Sequence, residues 1–243
     1  PAKYTGTYGT NGFYLNFSDN SSNTATTIGK DYSGNGNNWT PNNISVTSGV
    51  TYDSMTDVPT LNSPTAANYC VLNPLDSAAT ITDGNLTFTG PTGYATTRST
   101  FGLTSGKWYW EVVANAVPGG LLVGIANSSA TLSQYLGQSA NGWAYCGDGN
   151  KYTNGTGTAY GATYTTNDVI GVAFDADAGT LTFYKNNTSQ GTAFSSLTSG
   201  PYFPAIGDGA SGSVVSCYTN FGQRPFTYTP PSGYVALNTQ NLP

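Results

Sequence analysis

Val169-Ile170-Gly171-Val172-Ala173-Phe174 is followed by Asp175-Ala176-Asp177-Ala178-Gly179 and then by Thr180-Leu181-Thr182-Phe183-Tyr184, after which Asn186-Asn187 turns the chain again. Two apolar, β-branched and aromatic runs joined by turn-forming residues read as a β-hairpin. Gly179 can supply a positive φ, and the two aspartates can accept backbone amides in the turn while the apolar runs pair. The same grammar extends outward in both directions. Strands are expected over 85–88, 107–113, 121–126, 142–146, 169–174, 180–185, 202–206 and 213–221, and short strands punctuated by turn residues read as an antiparallel sandwich. Gly, Pro, Asn and β-branched residues interrupt every window in which helical spacing could develop. The expected fold class is all-β.

Composition narrows the chemistry. The chain has no His, one Met, three Cys and 8% charged residues, against about 25% in ordinary soluble domains. Seven Lys and Arg in a chain of net charge -5 cannot build the basic stripe that displaces phosphate counterions, so nucleic acid is not an expected partner. No apolar run approaches the roughly 18 residues of a membrane span. Cys70, Cys146 and Cys217 are too few and too widely spaced for a disulfide framework or a metal knuckle. Cys217, in Val214-Val215-Ser216-Cys217-Tyr218, reads as a small buried hydrophobe in register with Val215 and Thr219. Serine nucleophiles lack the usual base, because His is absent. Glycoside hydrolysis needs two carboxylates on one face, and Glu111 is the only glutamate. The expectation is a protein that is not an enzyme and takes no cofactor and no metal.

Residues 1–64 differ in texture, with Asn, Ser, Thr and Gly crowded around Phe13, Leu15, Phe17 and Trp39. They read as an N-terminal arm or partial β domain, with one strand alternating Phe13, Leu15 and Phe17. Asn62-Ser63-Pro64 marks the boundary, and 65–243 forms the sandwich. Thr229-Pro230-Pro231-Ser232-Gly233 reads as a stop followed by a tail, and the start at Pro1 reads as a processed or excerpted chain.

From about Ala67 to Tyr234 the segments resemble a SPRY domain. The residues that carry the resemblance are Gly106-Lys107-Trp108-Tyr109-Trp110-Glu111-Val112, Val123-Gly124-Ile125-Ala126, 168–175, 179–186 and Tyr202-Phe203-Pro204-Ala205. The resemblance implies a bent, concanavalin A-like jelly-roll sandwich whose loops bind partners, usually protein segments, with no catalytic residues. Gly12-Phe13-Tyr14-Leu15-Asn16-Phe17 and Asp31-Tyr32-Ser33-Gly34-Asn35-Gly36-Asn37-Asn38-Trp39 resemble the opening of laminin G-like domains and stretches that precede SPRY-like modules in bacteriophage structural proteins. Asp31, Ser33, Asn35 and Gly36 also echo a calcium loop, but its twelfth position is Asn42 rather than Glu, so a hydrogen-bonded turn is the better reading.

These features lead to one expectation about function. The chain is read as a virion surface module, a phage tail fibre, head fibre or decoration, located on the virion surface or otherwise extracellular. Its expected partners are other virion proteins, a host-envelope glycan and further copies of itself. A purely structural decoration protein and a SPRY-type peptide-binding adaptor are the alternatives, with a hydrolase last. The ligand is placed on a long polar loop over 147–157, with Tyr152 stacking and Asp148, Asn150 and Asn154 hydrogen bonding.

Overall fold

The structure, a computed structural model of the chain, describes residues 4–55, 67–118 and 120–242. It divides into two compact units, Pro1–Met55 and Thr56–Pro243. The expected boundary at Asn62-Ser63-Pro64 lies outside the described residues.

The second unit is a sandwich of strands β1 (Leu72–Ser77), β2 (Thr80–Thr82), β3 (Thr87–Thr89), β4 (Ala95–Ser99), β5 (Lys107–Ala116), β6 (Leu121–Asn127), β7 (Gly142–Cys146), β8 (Asn150–Thr153) and β9 (Thr156–Ala159). It continues through β10 (Val169–Asp175), β11 (Thr180–Lys185), β12 (Thr188–Phe194), β13 (Tyr202–Asp208), β14 (Ser216–Asn220) and β15 (Val235–Ala236). One sheet runs β1-β4-β13-β6-β7-β8-β9 and the other β12-β11-β10-β5-β14-β3-β2, with β15 added parallel to β5. All other pairings are antiparallel, so the all-β sandwich holds.

The hairpin that decided the fold forms as its chemistry dictates. Val172 stands opposite Phe183 and Phe174 opposite Leu181. Gly179 takes φ +63°. Asp175 Oδ1 accepts the Ala178 amide at 2.8 Å, and Asp177 Oδ1 accepts that of Gly106 at 2.9 Å. Inward-facing Trp108, Trp110 and Val112 of β5 meet Ile170, Val172 and Phe174 of β10, and Leu121, Val123, Ile125 and Ile206 complete the core from the other sheet. Each such side chain contributes about 1.5–3 kcal/mol when fully buried.

The outward face of β5 is also covered. Glu111 is buried, and its carboxylate accepts the Thr227 and Tyr228 amides at 2.7 and 2.8 Å and the Tyr109 hydroxyl at 3.2 Å. Burial raises its pKa, and the hydrogen bonds only partly offset that. Tyr109 packs edge-on against Phe226, with ring centroids 5.1 Å apart. The segment read as a stop and tail therefore belongs to the fold: Leu237 is buried in the core, and its carbonyl accepts the Cys70 amide.

The first unit has little regular structure. The strand expected through Phe13, Leu15 and Phe17 is reduced to one bridge, Leu15 to Asp31, because Phe17 sits at φ +53° and turns the chain out of the extended conformation. Phe13 and Trp39 pack together, centroids 4.7 Å apart, yet Phe13, Phe17 and Trp39 all stay substantially exposed, while Ile28 and Tyr52 are buried. The carboxylate of Asp31 accepts the amides of Tyr14, Ser33 and Asn37 and the Ser33 hydroxyl, all at 2.7–2.9 Å. That is the hydrogen-bonded turn expected from its sequence. Burial alone would raise the Asp31 pKa, but these donors outweigh it and hold it at about 2.

Two outcomes test this description. A folded-state value below the ordinary 3.8 means that Asp31 stabilises its surroundings above that pH and that the contribution is lost as pH falls towards 2. The Trp39 indole NMR signal should report this loss, and Asp31→Asn should flatten the dependence; an unchanged acid response would remove Asp31 from that role. Cys217 is fully buried, opposite Phe88 and Ala114, and burial pushes its pKa well up. A thiol reagent should leave Cys217 unlabelled in the native protein and label it after denaturation, whereas fast native labelling would mean a different strand register.

Candidate functional site

Along β6 the side chains alternate: Leu121, Val123 and Ile125 enter the main core, while Leu122 and Ala126 point to the other face of the seven-stranded sheet. Leu122 stands opposite Cys146 on β7 and Gly207 on β13. Leu122, Ala126 and Cys146 form a second, smaller apolar cluster with Ala144, Ala205 and Leu136. A strap between β6 and β7 lies over this face. Thr96 fixes it by donating its amide to Leu132 O and its hydroxyl to Gln134 O. Arg98 fixes it further, pairing bidentately with Asp76 at 2.7 and 2.8 Å while Nη1 donates to Asn127 O and Ala130 O. Tyr135 belongs to this strap and packs on the second cluster.

The expected polar loop over 147–157 is instead a hairpin that extends the sheet edge. Thr153 pairs with Thr156, leaving Asn154-Gly155 as a two-residue turn with φ of +50° and +69°. Both central residues at positive φ is the type I′ geometry that Asn-Gly favours. The Asn154 and Gly155 amides donate to Ser139 O and Gly137 O, which docks the tip on the strap. Tyr152 stands opposite Ala144 on β7 and Gly157 on β9. Gly157 leaves room for its ring: a Cβ there would lie 2.8 Å from Tyr152 Cε1.

Three of the four residues singled out for binding come together. Asp148 Oδ1 accepts the Asn150 amide at 2.9 Å, and Oδ2 accepts Asn150 Nδ2 at 2.9 Å and the Tyr152 hydroxyl at 2.8 Å. Asn154 is set apart in the turn. Burial would raise the Asp148 pKa, but its donors outweigh it and lower the value, while burial, then the hydrogen bond to Asp148 and its charge, push Tyr152 up to about 12. Tyr152 is half-buried, more enclosed than a loop position would be.

Beside this cluster lies a pocket of about 210 Å³ lined by Gly120, Leu122, Tyr135, Cys146, Tyr152 and Gly209. Tyr135 meets Tyr94 edge-on at 5.2 Å and Tyr152 edge-on at 6.1 Å. Tyr94 and Tyr135 were not singled out from the sequence, where each is an isolated aromatic, in Gly93-Tyr94-Ala95 and Gln134-Tyr135-Leu136. Cys146 is nearly buried, and burial pushes its thiol up to about 12. The arrangement offers aromatic walls, a small-residue floor and one carboxylate, which suits the capture of a side chain.

Residues 107–224, just under half of the chain, match the family model of the SPRY domain. It is 35% identical over 140 residues to Ran-binding protein 9 of Xenopus tropicalis, covering 55% of this chain and 25% of that protein. It is 34% identical over 127 residues to Ran-binding protein 10 of Danio rerio, covering 51% and 20%. Against Ran-binding protein 9 of Homo sapiens it is 35% identical over 127 residues, covering 51% and 17%. The chain thus spans a quarter or less of the length of these relatives. The crystal structure of the SPRY domain of human HERC1 matches with a TM-score of 0.55 at 22% identity, covering 61% of this chain and 96% of that one, a likeness of fold.

These relatives are vertebrate Ran-binding proteins, and they overturn the reading as a phage tail fibre, head fibre or decoration protein. The expected virion partners, the host-envelope glycan and the virion-surface or extracellular location fall with it. The misleading signal was the resemblance of Gly12–Phe17 and Asp31–Trp39 to stretches that precede SPRY-like modules in bacteriophage structural proteins, and those residues lie outside the 107–224 that match the family model.

The hairpin geometry sets an expectation for the site. Gly155→Ala places a Cβ at positive φ and should destabilise the protein by about 1–2 kcal/mol. Chemical denaturation measures the loss, and the Tyr152 ring resonances should shift with it. Unchanged stability would mean that the turn is not of this type.

Proposed function

We propose that this SPRY-bearing sandwich is a protein-interaction module that takes a segment of a partner protein at the pocket walled by Tyr135 and Tyr152, and that it performs no chemistry there. The observation that carries the reading is the pocket itself, an open recess whose aromatic walls are held by sheet and strap rather than by a free loop. Its volume of about 210 Å³ falls below the roughly 300–1,000 Å³ of pockets that enclose a whole small ligand, so it suits one side chain of a longer chain that continues across the surface.

Similarity to proteins named for binding supports a binding role. Their named partner belongs to proteins of which this chain spans a quarter or less, and it is not carried over. The non-enzymatic reading rests on Glu111, whose carboxylate is buried and committed to Tyr109, Thr227 and Tyr228. It has no open face on which to act as an acid or a nucleophile.

Selection of random linear peptides on the immobilised full chain tests the reading. Selected peptides should lose at least about tenfold in affinity against Tyr152→Ala, the scale expected when a central aromatic anchor is truncated. Thermal melting establishes that both proteins are folded. Equal binding by the two would place recognition elsewhere on the sandwich.

A further inference from the structure

The charges around the pocket are unevenly distributed. The ion pairs among the described residues join Arg98 to Asp76, Lys107 to Asp175 and Lys185 to Asp168. Asp148 belongs to none of them. Its carboxylate is held by the Asn150 amides and the Tyr152 hydroxyl, neutral donors that fix its position without cancelling its charge. The nearest cation in sequence, Lys151, alternates to the opposite face. There its ammonium donates to Ala193 O and lies 5.3 and 5.8 Å from the ring centroids of Phe194 and Tyr160. Asp148, bonded to the lining residue Tyr152, therefore places a carboxylate with no salt-bridge partner among the described residues beside the pocket, in a chain of net charge -5.

The pocket walls suit the same sign of guest. Tyr135 and Tyr152, which line the pocket, meet at an interplanar angle of 84°, and Tyr94 backs Tyr135 from behind at 77°. Aromatic faces set at such angles attract a cation through the ring quadrupole. A carboxylate accepting from the Tyr152 hydroxyl adds electron density to that phenol and strengthens the effect. Leu122 and the small-residue floor can accept the apolar stem of a long side chain while its charged head stays at the aromatic rim.

We infer that the pocket reads a cationic side chain, lysine or arginine, presented by an extended segment of a partner protein. This inference rests on the proposed interaction role and specifies the chemistry of its partner. A neutral side chain of equal length would fill the floor but forgo both the aromatic faces and the Asp148 charge.

The test uses the full chain, isotopically labelled, titrated by NMR with three tripeptides: acetyl-Gly-Lys-Gly-amide, acetyl-Gly-Arg-Gly-amide and acetyl-Gly-norleucine-Gly-amide. The two cationic peptides should shift the resonances of Leu122, Tyr135 and Tyr152 and bind about fivefold to tenfold more tightly than the norleucine peptide. That preference should shrink in high salt and largely disappear in Asp148→Asn. Tyr152→Leu gives a second route to the same loss should Asp148→Asn fold poorly. Norleucine binding at the pocket as tightly as lysine would overturn the inference and leave the peptide-binding role standing. Cation-dependent shifts confined to other surfaces would likewise overturn it. If random-peptide selection also fails to engage the pocket, both the inference and the role fall.

Discussion

The whole sandwich depends on the requirement that β5 be buried on both faces. Its inward residues, Trp108, Trp110 and Val112, anchor the main core, but Tyr109 and Glu111 point away from it and are no less buried. An antiparallel sheet commonly leaves one face to water. Here the second face carries an ionisable group that can be buried only if its oxygens are satisfied. The backbone amides of Thr227 and Tyr228 do that, so the chain beyond the last long strand must return across the sheet. The parallel pairing of β15 with β5 and the burial of Leu237 follow from that return.

The seven-stranded sheet solves the same problem with a different device. Its outer face carries small residues, Ala126, Ala144 and Ala205, together with Gly207, where a Cβ would come within 2.6 Å of Leu136 Cβ. Small side chains let the strap approach closely, and Leu136 fills the space. Packing is incomplete beside Leu122 and Cys146, which stay buried but line a pocket with Tyr135 and Tyr152. The recess is thus a consequence of how the sheet is covered rather than a separate feature grafted onto a loop.

Apolar runs made much of this legible in the sequence. The strands over 142–146 and 180–185 have the bounds expected, and β10 and β6 extend one residue beyond theirs. What escaped was polar. Strand β4, Ala95–Ser99, is buried throughout yet reads Ala-Thr-Thr-Arg-Ser, because its outward side chains are satisfied by the strap and by Asp76 rather than by apolar contact. No hydrophobic period announces such a strand. The β8–β9 hairpin was hidden in the same way, among Asn, Lys, Thr and Gly, although Asn154-Gly155 supplied the local turn signal. Tyr152 and its acceptor Asp148 could be picked out by residue type. Tyr94 and Tyr135 could not, since only the folded sheet and strap bring them together.

The hairpin that presents Tyr152 is also the element that ties the two sheets at one edge. Lys151 crosses to Ala193 O on β12, and Tyr160, just beyond β9, donates its hydroxyl to Gly191 O on that same strand. Gln190 Oε1 accepts the Ala162 amide. The bonds to Ala193 O and Gly191 O occupy backbone carbonyls along β12 that another chain could otherwise pair with. They also fix the backbone on either side of Tyr152, whose hydroxyl is already held by Asp148. A segment entering the pocket would therefore meet a ring whose rotamer and backbone are set beforehand, and the ordering cost of association would fall mainly on the partner. Selectivity at such a site follows from the fixed positions of the rings and the carboxylate, because a rigid wall cannot repack around a side chain of the wrong charge.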